Sequence, residues 1–512
     1  MADKGNTWFN GMGSTMIPEI GRQPYPAGKV GPSRTRGLVQ TALIVAAASV
    51  FSSAVLFTIP SDWLWETARI TSVCIVLIFA LRFSVGRFKS AFVIWWLMLV
   101  SECIFFREGV GDQPIVAAYK GYFPTAAYGE VICWALCFVA VFFSAWKLRG
   151  YFKGLLAADY KWLTLFAGLS VISCVYSTRP SLGLAWSFKL CLVTLLLLLC
   201  AKQIREYRDI VSFLRFTLWA YVIIMLQPVV IAMFRGQMFD EEGRMSTIVS
   251  PNALSPNSAV VVLLALTLFS RWKGEGIRKS AIILGVLGCV VMILAGSKTG
   301  IVAAVFAGFF FFFLRKKVGS AFGYVALSAV MVLILALSTP LGGYFQTYDA
   351  GSGAETLSGR TILWSAVMPA IRDRIFLGHG FMSSEFLIFQ VNQVAWAAPQ
   401  LHNGFLEALY NGGLIGLVFM LGIIIIIPVR LAQVLRKVPL ESSMYRTAAG
   451  CIALYAFLII NGLSNSSYGG KPSAIFMLLL SLVVVANKMF EVAFQSPRHE
   501  HTALAAGVSH VN

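Results

Sequence analysis

Charged residues are scarce in this chain. Only 12% of its 512 residues are Asp, Glu, Lys or Arg, whereas 58% are hydrophobic. A soluble globular domain carries about a quarter charged residues, because its surface must face water. The balance therefore argues against a soluble protein and indicates one that resides in a membrane.

Common nucleotide-binding and nucleophile motifs are also missing. The sequence has no phosphate loop ending in Gly-Lys-Ser/Thr, no Gly-x-Gly-x-x-Gly fingerprint and no Gly-x-Ser-x-Gly elbow. These absences argue against an ATP-driven pump. The nine cysteines fall in or beside apolar segments, which predicts small packing residues, no disulfide framework and no metal site.

What the chain has instead is a series of apolar runs. A transmembrane helix needs about 20 mostly apolar residues. About fourteen segments approach that length: 38–59, 66–81, 90–106, 130–146, 161–177, 185–201, 210–234, 257–270, 280–296, 300–314, 320–339, 408–429, 447–462 and 473–489. Their residues do not alternate as barrel strands would, so we predict an all-α, polytopic membrane protein with about 14 (12–14) transmembrane helices.

The basic residues predict how these helices are oriented. The formal net charge is +18, and Lys and Arg cluster in alternate short loops. This is the positive-inside pattern, and it predicts that both termini are cytoplasmic. The charge then indicates membrane lipids, and no nucleic acid, as partners. Residues 1–37 and 490–512 are expected to be cytoplasmic tails of one membrane domain, 38–489.

The longest hydrophilic segment, residues 340–403, falls on the outer side of this topology. We expect it to contain short helices, with Arg360 near its middle and His402 at its end. Basic residues are uncommon on that side, so Arg244, Lys298 and Arg360 are predicted to converge on an anion, such as the pyrophosphate of a lipid. Pairing with acidic neighbours, or snorkelling to headgroups, is the alternative.

His402 is the strongest candidate for proton transfer. Its side chain titrates near neutral pH, and it precedes a helix N-terminus that favours anions. Glu407 could orient the imidazole or pair with an arginine; a purely structural histidine is the alternative. His379, between two glycines, is expected to shape a turn, and Lys189 is expected to reach the membrane surface by snorkelling.

Several blocks of sequence together resemble the bacterial O-antigen ligase and polysaccharide polymerase superfamily, over roughly residues 160–485. They lie at residues 244–252, 297–300, 359–364, 377–381 and 402–413. The Gly-Arg-x-x-x-Trp block around Arg360 and the His-Asn block at His402 are the specific part. Members more often carry arginine where this chain has Lys298, which keeps the charge but loses bidentate geometry.

The resemblance implies a glycosyltransferase whose donor is a glycan on undecaprenyl pyrophosphate, with no cofactor or metal because the donor is already activated. Arg244 and Arg360 would bind the pyrophosphate and stabilise it as it leaves. His402 would activate the acceptor hydroxyl or assist the leaving phosphate, in an inverting displacement. Further substrate contacts are expected from Lys298, Asn252, Asn403 and Glu407.

Two enzymatic interpretations and one transport interpretation stay open. We expect a polymerase of exopolysaccharide or O-antigen repeat units in the bacterial inner membrane, with its active site facing the periplasm. An acceptor glycan and a chain-length regulator are candidate partners. A ligase that transfers finished glycan to lipid A core shares the donor and the motifs. A transporter or flippase would place its polar residues at the midplane, and here they gather at the outer face.

Overall fold

The structure is a computed structural model whose described residues are 89–104, 134–135, 137–142, 160–235, 238–239, 245, 250–269, 275–338, 360–385 and 400–495. All of them belong to one structural unit, Ala46–Asn512. These residues are helical apart from turns, 3-10 segments at Cys174–Tyr176 and 383–385, and a bridge between Phe239 and Met245. The predicted all-α class is confirmed.

Twelve helices can be given bounds in the described part of the chain. They are α1 (Ser90–Ile104), α2 (Lys161–Ser173), α3 (Pro180–Gln203), α4 (Tyr207–Arg235), α5 (Pro251–Phe269), α6 (Glu275–Leu294), α7 (Lys298–Leu314), α8 (Val318–Ser338), α9 (Arg360–Asp373), α10 (Gly404–Lys437), α11 (Ser443–Gly462) and α12 (Ala474–Gln495).

Many of these helices suit a membrane. Among the described residues, 6 helices are long and apolar enough to cross one, namely α3, α4, α5, α10, α11 and α12, and shorter apolar helices accompany them. The chain is therefore a polytopic membrane protein, whereas the number fourteen stays a prediction. The expected spans 38–59 and 66–81, the tail 1–37 and all but the first six residues of the tail 490–512 lie outside the described residues.

Helix starts follow local capping chemistry. The Ser442 side chain accepts a hydrogen bond from the Tyr445 N–H at the start of α11. Pro180 opens α3, where the N–H that proline lacks would have no partner in the helix. The helix interiors are rich in Leu, Ile, Val and Phe, and their backbone groups bond within the helix, as a hydrocarbon surrounding requires.

Antiparallel packing sorts the helix termini to two ends. The Tyr445 hydroxyl donates to the Leu314 carbonyl at 3.0 Å, so the start of α11 meets the end of α7. The Tyr207 hydroxyl donates to the Ser443 carbonyl at 2.7 Å and brings the start of α4 to the same place. We call this the basic end, since it carries Arg208, Arg315, Lys316, Lys317, Arg436, Lys437 and Arg446. The opposite end, the His402 end, holds the starts of α5, α7 and α10.

Candidate functional site

An apolar cluster fixes α9 against the start of α10. It consists of Leu363, Val367 and Ile371 from α9 with Leu401 and Tyr410. The Trp364 indole N–H donates to the Leu401 carbonyl at 2.8 Å, which locks the pairing. Trp364 lies one turn after Arg360, and Leu401 directly precedes His402. The packing therefore brings the two principal candidates of the sequence, Arg360 and His402, close together.

His402 is held in an unusual conformation. Its φ is 50°, a left-handed value that few residues other than glycine adopt, and its N–H donates to Ser466 Oγ at 3.0 Å. Burial, and then repulsion from Arg360, lower the pKa of His402 from 6.5 to about 4. The imidazole is therefore neutral at pH 7 and able to accept a proton.

Asn403 connects three backbone segments. As N-cap of α10, its side-chain oxygen accepts from the N–H groups of Phe405 and Leu406 at 3.0 and 3.1 Å. Its amide nitrogen donates to the Leu463 carbonyl at 3.1 Å. These bonds give Asn403 a structural task next to His402, whereas its predicted role as a substrate contact stays a prediction.

Glu407, which was expected to orient the imidazole or pair with an arginine, is buried at 2% exposure. The Ser384 hydroxyl donates to Glu407 Oε1 at 3.2 Å, and Ser466 also hydrogen-bonds the carboxyl group. Since Ser466 accepts the N–H of His402, Glu407 and His402 are connected through one serine. A Cβ on Gly470 would lie 2.5 Å from Glu407 Oε1, so that glycine leaves room for the buried carboxyl.

The helix α10 is broken at Gly413, six residues after Glu407. Gly413 has φ 62° and ψ −161°, which interrupts the helical hydrogen bonds. The segment 375–380 restores them on both sides of the break. Its N–H groups at His379 and Gly380 donate to the carbonyls of residues 410 and 411, at 2.8 and 3.0 Å. Its carbonyls at residues 375 and 376 accept from the N–H groups of Leu414 and Ile415. A break at membrane depth is tolerated where protein supplies such partners.

His379 belongs to this bridging segment and not to the neighbourhood of His402. Its ring stacks on Tyr410 with centroids 4.4 Å apart, and its Nε2 lies 2.7 Å from the Ala370 carbonyl oxygen. Gly378 and Gly380 have φ of 70° and 95°, so the prediction that His379 shapes a turn agrees with the structure.

Asn252 and Lys298 lie at the His402 end on two neighbouring helix starts. A Cβ on Gly300 would lie 2.6 Å from Ser255 Oγ, so the first turns of α5 and α7 touch. Both candidate side chains are exposed. Lys298 is the first residue of α7 and not part of a free turn.

Arg244 lies outside the described residues. Its neighbour Met245 is described: the Met245 N–H donates to the carbonyl of Leu294, the last residue of α6, at 2.7 Å. Leu294 is four residues before Lys298. This contact places Met245 at the His402 end.

The sequence analysis missed the connection between α11 and α12, residues 463–473. It supplies Ser466 and Gly470 to the site, and a Cβ on Gly469 would lie 2.4 Å from the Ala408 nitrogen. Its signal was present as a polar, glycine-containing stretch between two apolar segments. Ser384 was also missed, since a lone serine in a long loop carries no pattern.

The prediction for Lys189 needs correction. Lys189 is 0% exposed, so it does not snorkel to the surface. Its Nζ lies 5.0 Å from the ring centroids of both Trp134 and Trp186, and the Nζ of Lys471 lies 4.4 Å from the Trp186 ring. Two indole rings and a second lysine therefore surround the side-chain nitrogen of Lys189.

A comparison with known protein families gives a match that falls on this site. Residues 283–421 match a protein-family model described as O-antigen ligase. This match supports the resemblance to the O-antigen ligase-like superfamily. It spans Lys298, Arg360, His402 and Glu407, and it leaves out Arg244 and the 463–473 connection. A search of curated proteins found none that matches the chain.

The O-antigen ligase match indicates an enzyme, and the chemistry of the site is that of acid–base and anion-binding side chains. Within the described residues, no group of three or more His, Cys, Asp or Glu side chains could hold a metal ion. The groups that the structure assembles are a neutral imidazole, a guanidinium beside it and a buried carboxyl behind it.

Proposed function

We propose that this protein is a membrane glycosyltransferase that transfers a glycan from a polyprenyl pyrophosphate to an acceptor hydroxyl and so polymerises the repeat units of an exopolysaccharide or O-antigen. The observation that carries the proposal is the proximity of Arg360 and the neutral His402 beside the start of an apolar helix. The match to the O-antigen ligase family supports the same class of reaction.

The height of this pair relative to the membrane suits a lipid-linked donor. Crossing about 30 Å of hydrocarbon takes about 20 residues of helix. Arg430 lies near the basic end of α10, and about 20 residues before it the helix reaches Tyr410. His402 and Arg360 then lie above the hydrocarbon, at the level of lipid headgroups, where the pyrophosphate of a polyprenyl donor would be found. The positive-inside rule makes this the periplasmic side.

The reaction then needs three contributions. The neutral His402 accepts the proton of the acceptor hydroxyl as its oxygen attacks the anomeric carbon. The bond between that carbon and the phosphate oxygen breaks, and the configuration inverts. The negative charge gathers on the departing polyprenyl pyrophosphate, where Arg360 stabilises it; Lys298 and Arg244 are proposed as further cations there. We propose that Glu407 and Asn403 hold His402 in place.

The polymerase and ligase versions of this function share that chemistry. The second candidate is transfer of finished glycan to lipid A core, which the match to the O-antigen ligase family supports. The Ser-Lys-Thr turn at Lys298 favours the polymerase. The polymerase and the ligase differ only in the acceptor. The glycan that accumulates when the protein is inactive therefore distinguishes them.

The test is complementation of a deletion strain with Arg360→Ala or His402→Ala. The matched control is Arg436→Ala, an exposed arginine at the basic end of α10. We expect normal protein levels in all three, and loss of long polymer in the first two only. Single repeat units on lipid A indicate a polymerase, and polymer retained on the polyprenol indicates a ligase. Wild-type polymer in both site variants would contradict the assignment.

A further inference from the structure

The segment 372–377, which ends α9 and begins the bridge across the α10 break, presents apolar side chains to its surroundings. Phe376 is 68% exposed and Leu377 is 54% exposed. They are followed by Gly378, after which the chain turns back into the protein. Large apolar side chains at this exposure would be costly in water and mark an interaction surface.

Backbone hydrogen bonds fix the height of this surface. The N–H of Leu414 donates to the Ile375 carbonyl at 2.7 Å, and the N–H of Ile415 donates to the Phe376 carbonyl. Leu414 begins the unbroken apolar part of α10, which rises about 24 Å before Arg430 at 1.5 Å per residue. Phe376 therefore lies level with the first turn of a membrane-crossing helix, just inside the expected hydrocarbon boundary.

The apolar surface is continuous with lipid-facing residues of the membrane helices. Leu414 and Ile415 are themselves exposed beside it. The Tyr176 hydroxyl donates to the Leu377 carbonyl at 2.9 Å, which places the 85% exposed Val175 close by. The occupant that fits all of these side chains at this height is the acyl region of a bilayer.

The charges of the same segment lie where headgroups are. Arg372 and Arg374 are exposed, and they directly precede Ile375. Ile371, next to them, packs in the cluster with Tyr410, which is near the expected boundary. Arginine above an apolar insertion is the pattern of interfacial membrane anchors. The guanidinium group pairs well with phosphate, and its alkyl chain can extend along apolar neighbours.

We propose that residues 372–377 form a membrane anchor of the outer loop, in which Ile375, Phe376 and Leu377 insert into the bilayer and Arg372 and Arg374 bind the phosphates of anionic phospholipids. The anchor holds the bridging segment against the α10 break from the lipid side. It concerns how the loop is held, and it does not depend on the reaction proposed above.

Accessibility in a bilayer tests the inserted part. Phe376→Cys and Asp373→Cys are compared in full-length protein in phosphatidylcholine/phosphatidylglycerol nanodiscs, with a membrane-impermeant thiol reagent. Both positions are exposed on the protein itself, so only the bilayer can distinguish them. We expect labelling at 376 to be at least tenfold slower, after normalisation to the rates in SDS. Wild-type protein gives the background of native cysteines, and Leu377→Cys repeats the test if the first variant does not fold.

Equal normalised rates at 373 and 376 would overturn the insertion. The charged part is tested by native mass spectrometry of protein released from the same nanodiscs. Wild type should retain phosphatidylglycerol over phosphatidylcholine, and the double variant Arg372→Gln/Arg374→Gln should retain several-fold less of it. Unchanged retention would overturn the headgroup contact. These nanodiscs hold no polyprenyl donor, so protection or retention there arises from phospholipid.

Discussion

The two adjacent glycines of α10, Gly412 and Gly413, should respond in opposite ways to alanine. At Gly413 a Cβ would lie 2.2 Å from the Phe376 carbonyl oxygen and 2.6 Å from the Leu377 nitrogen, and φ is 62°. The obstructing atoms are backbone of the bridging segment, so no side-chain rotation relieves the contact. At Gly412 the nearest atom is Leu169 Cδ2 at 3.5 Å, an ordinary contact.

These contacts set the expected magnitudes. The backbone conformation alone costs a residue with a Cβ about 1–3 kcal/mol, and the overlap adds to it, so Gly413→Ala should lose about 3 kcal/mol or more. Gly412→Ala should be neutral or stabilise by up to about 1 kcal/mol, since alanine favours the helix. The displaced segment carries His379 and leads to Ser384, so Gly413→Ala should also lower glycan transfer.

The assay is unfolding of both purified variants in mixed micelles, by SDS titration with circular dichroism, against wild type. A similar midpoint shift for both variants would refute the account of the break. So would a stable Gly413→Ala protein, because the bridge across residues 410–415 could not then have the described geometry.

Further predictions concern the residues around His402. Because burial and Arg360 depress the pKa of His402 to about 4, transfer by the free enzyme should stay constant from pH 7 to pH 5. It should fall at lower pH, where protonation removes the base, and Arg360→Gln should move this acid limb to higher pH in a profile of kcat/KM. In the unfolded chain the His402 imidazole has its usual pKa of about 6.5 and takes up a proton that the folded protein does not bind. His402 should therefore lower the free energy of unfolding as pH falls from 6.5 towards 4, and His402→Gln should lack this pH dependence in a denaturation series. Ser466→Ala removes the acceptor of the His402 N–H and a donor to Glu407, and should cost about 1–3 kcal/mol in unfolding titrations and lower kcat more than it raises KM. Glu407→Gln keeps an acceptor for the serines and should retain most activity, whereas Glu407→Leu should not; equal activity of the two would remove its positioning role.

The sequence predicted the helices well where apolar runs are long, because burial in lipid depends on composition. The segment 300–314, for example, lies within helix α7 as described. The ends of the helices, where charged residues lie, are less predictable. Lys298 was expected in a turn, and it is the first residue of α7. Such boundaries depend on which neighbour is available, here the α5 turn at Ser255, and one sequence does not show it.

The candidate site was predicted in part. Residue type and position marked Arg360 and His402, and the packing of Trp364 on Leu401 brings them together. The polar stretch around Ser466 is visible in the sequence, but its contacts are not. Ser384 meets a residue 23 positions away, and Ser466, Gly469 and Gly470 meet residues about 60 positions away, pairings that one sequence does not show. Lys189 was misjudged since the sequence could not show that Trp134 and Trp186 surround it.

We propose above that Arg360 and His402 together transfer a glycan from a lipid pyrophosphate. The most direct test is the purified protein in nanodiscs with a defined polyprenyl-pyrophosphate oligosaccharide, following released polyprenyl pyrophosphate and elongated glycan together. We expect turnover by wild type and Arg436→Ala. Both His402→Ala and Arg360→Ala should lose at least about a hundredfold, because a catalytic base or the stabilisation of transition-state charge is removed. Turnover by folded His402→Ala at the wild-type rate would contradict it.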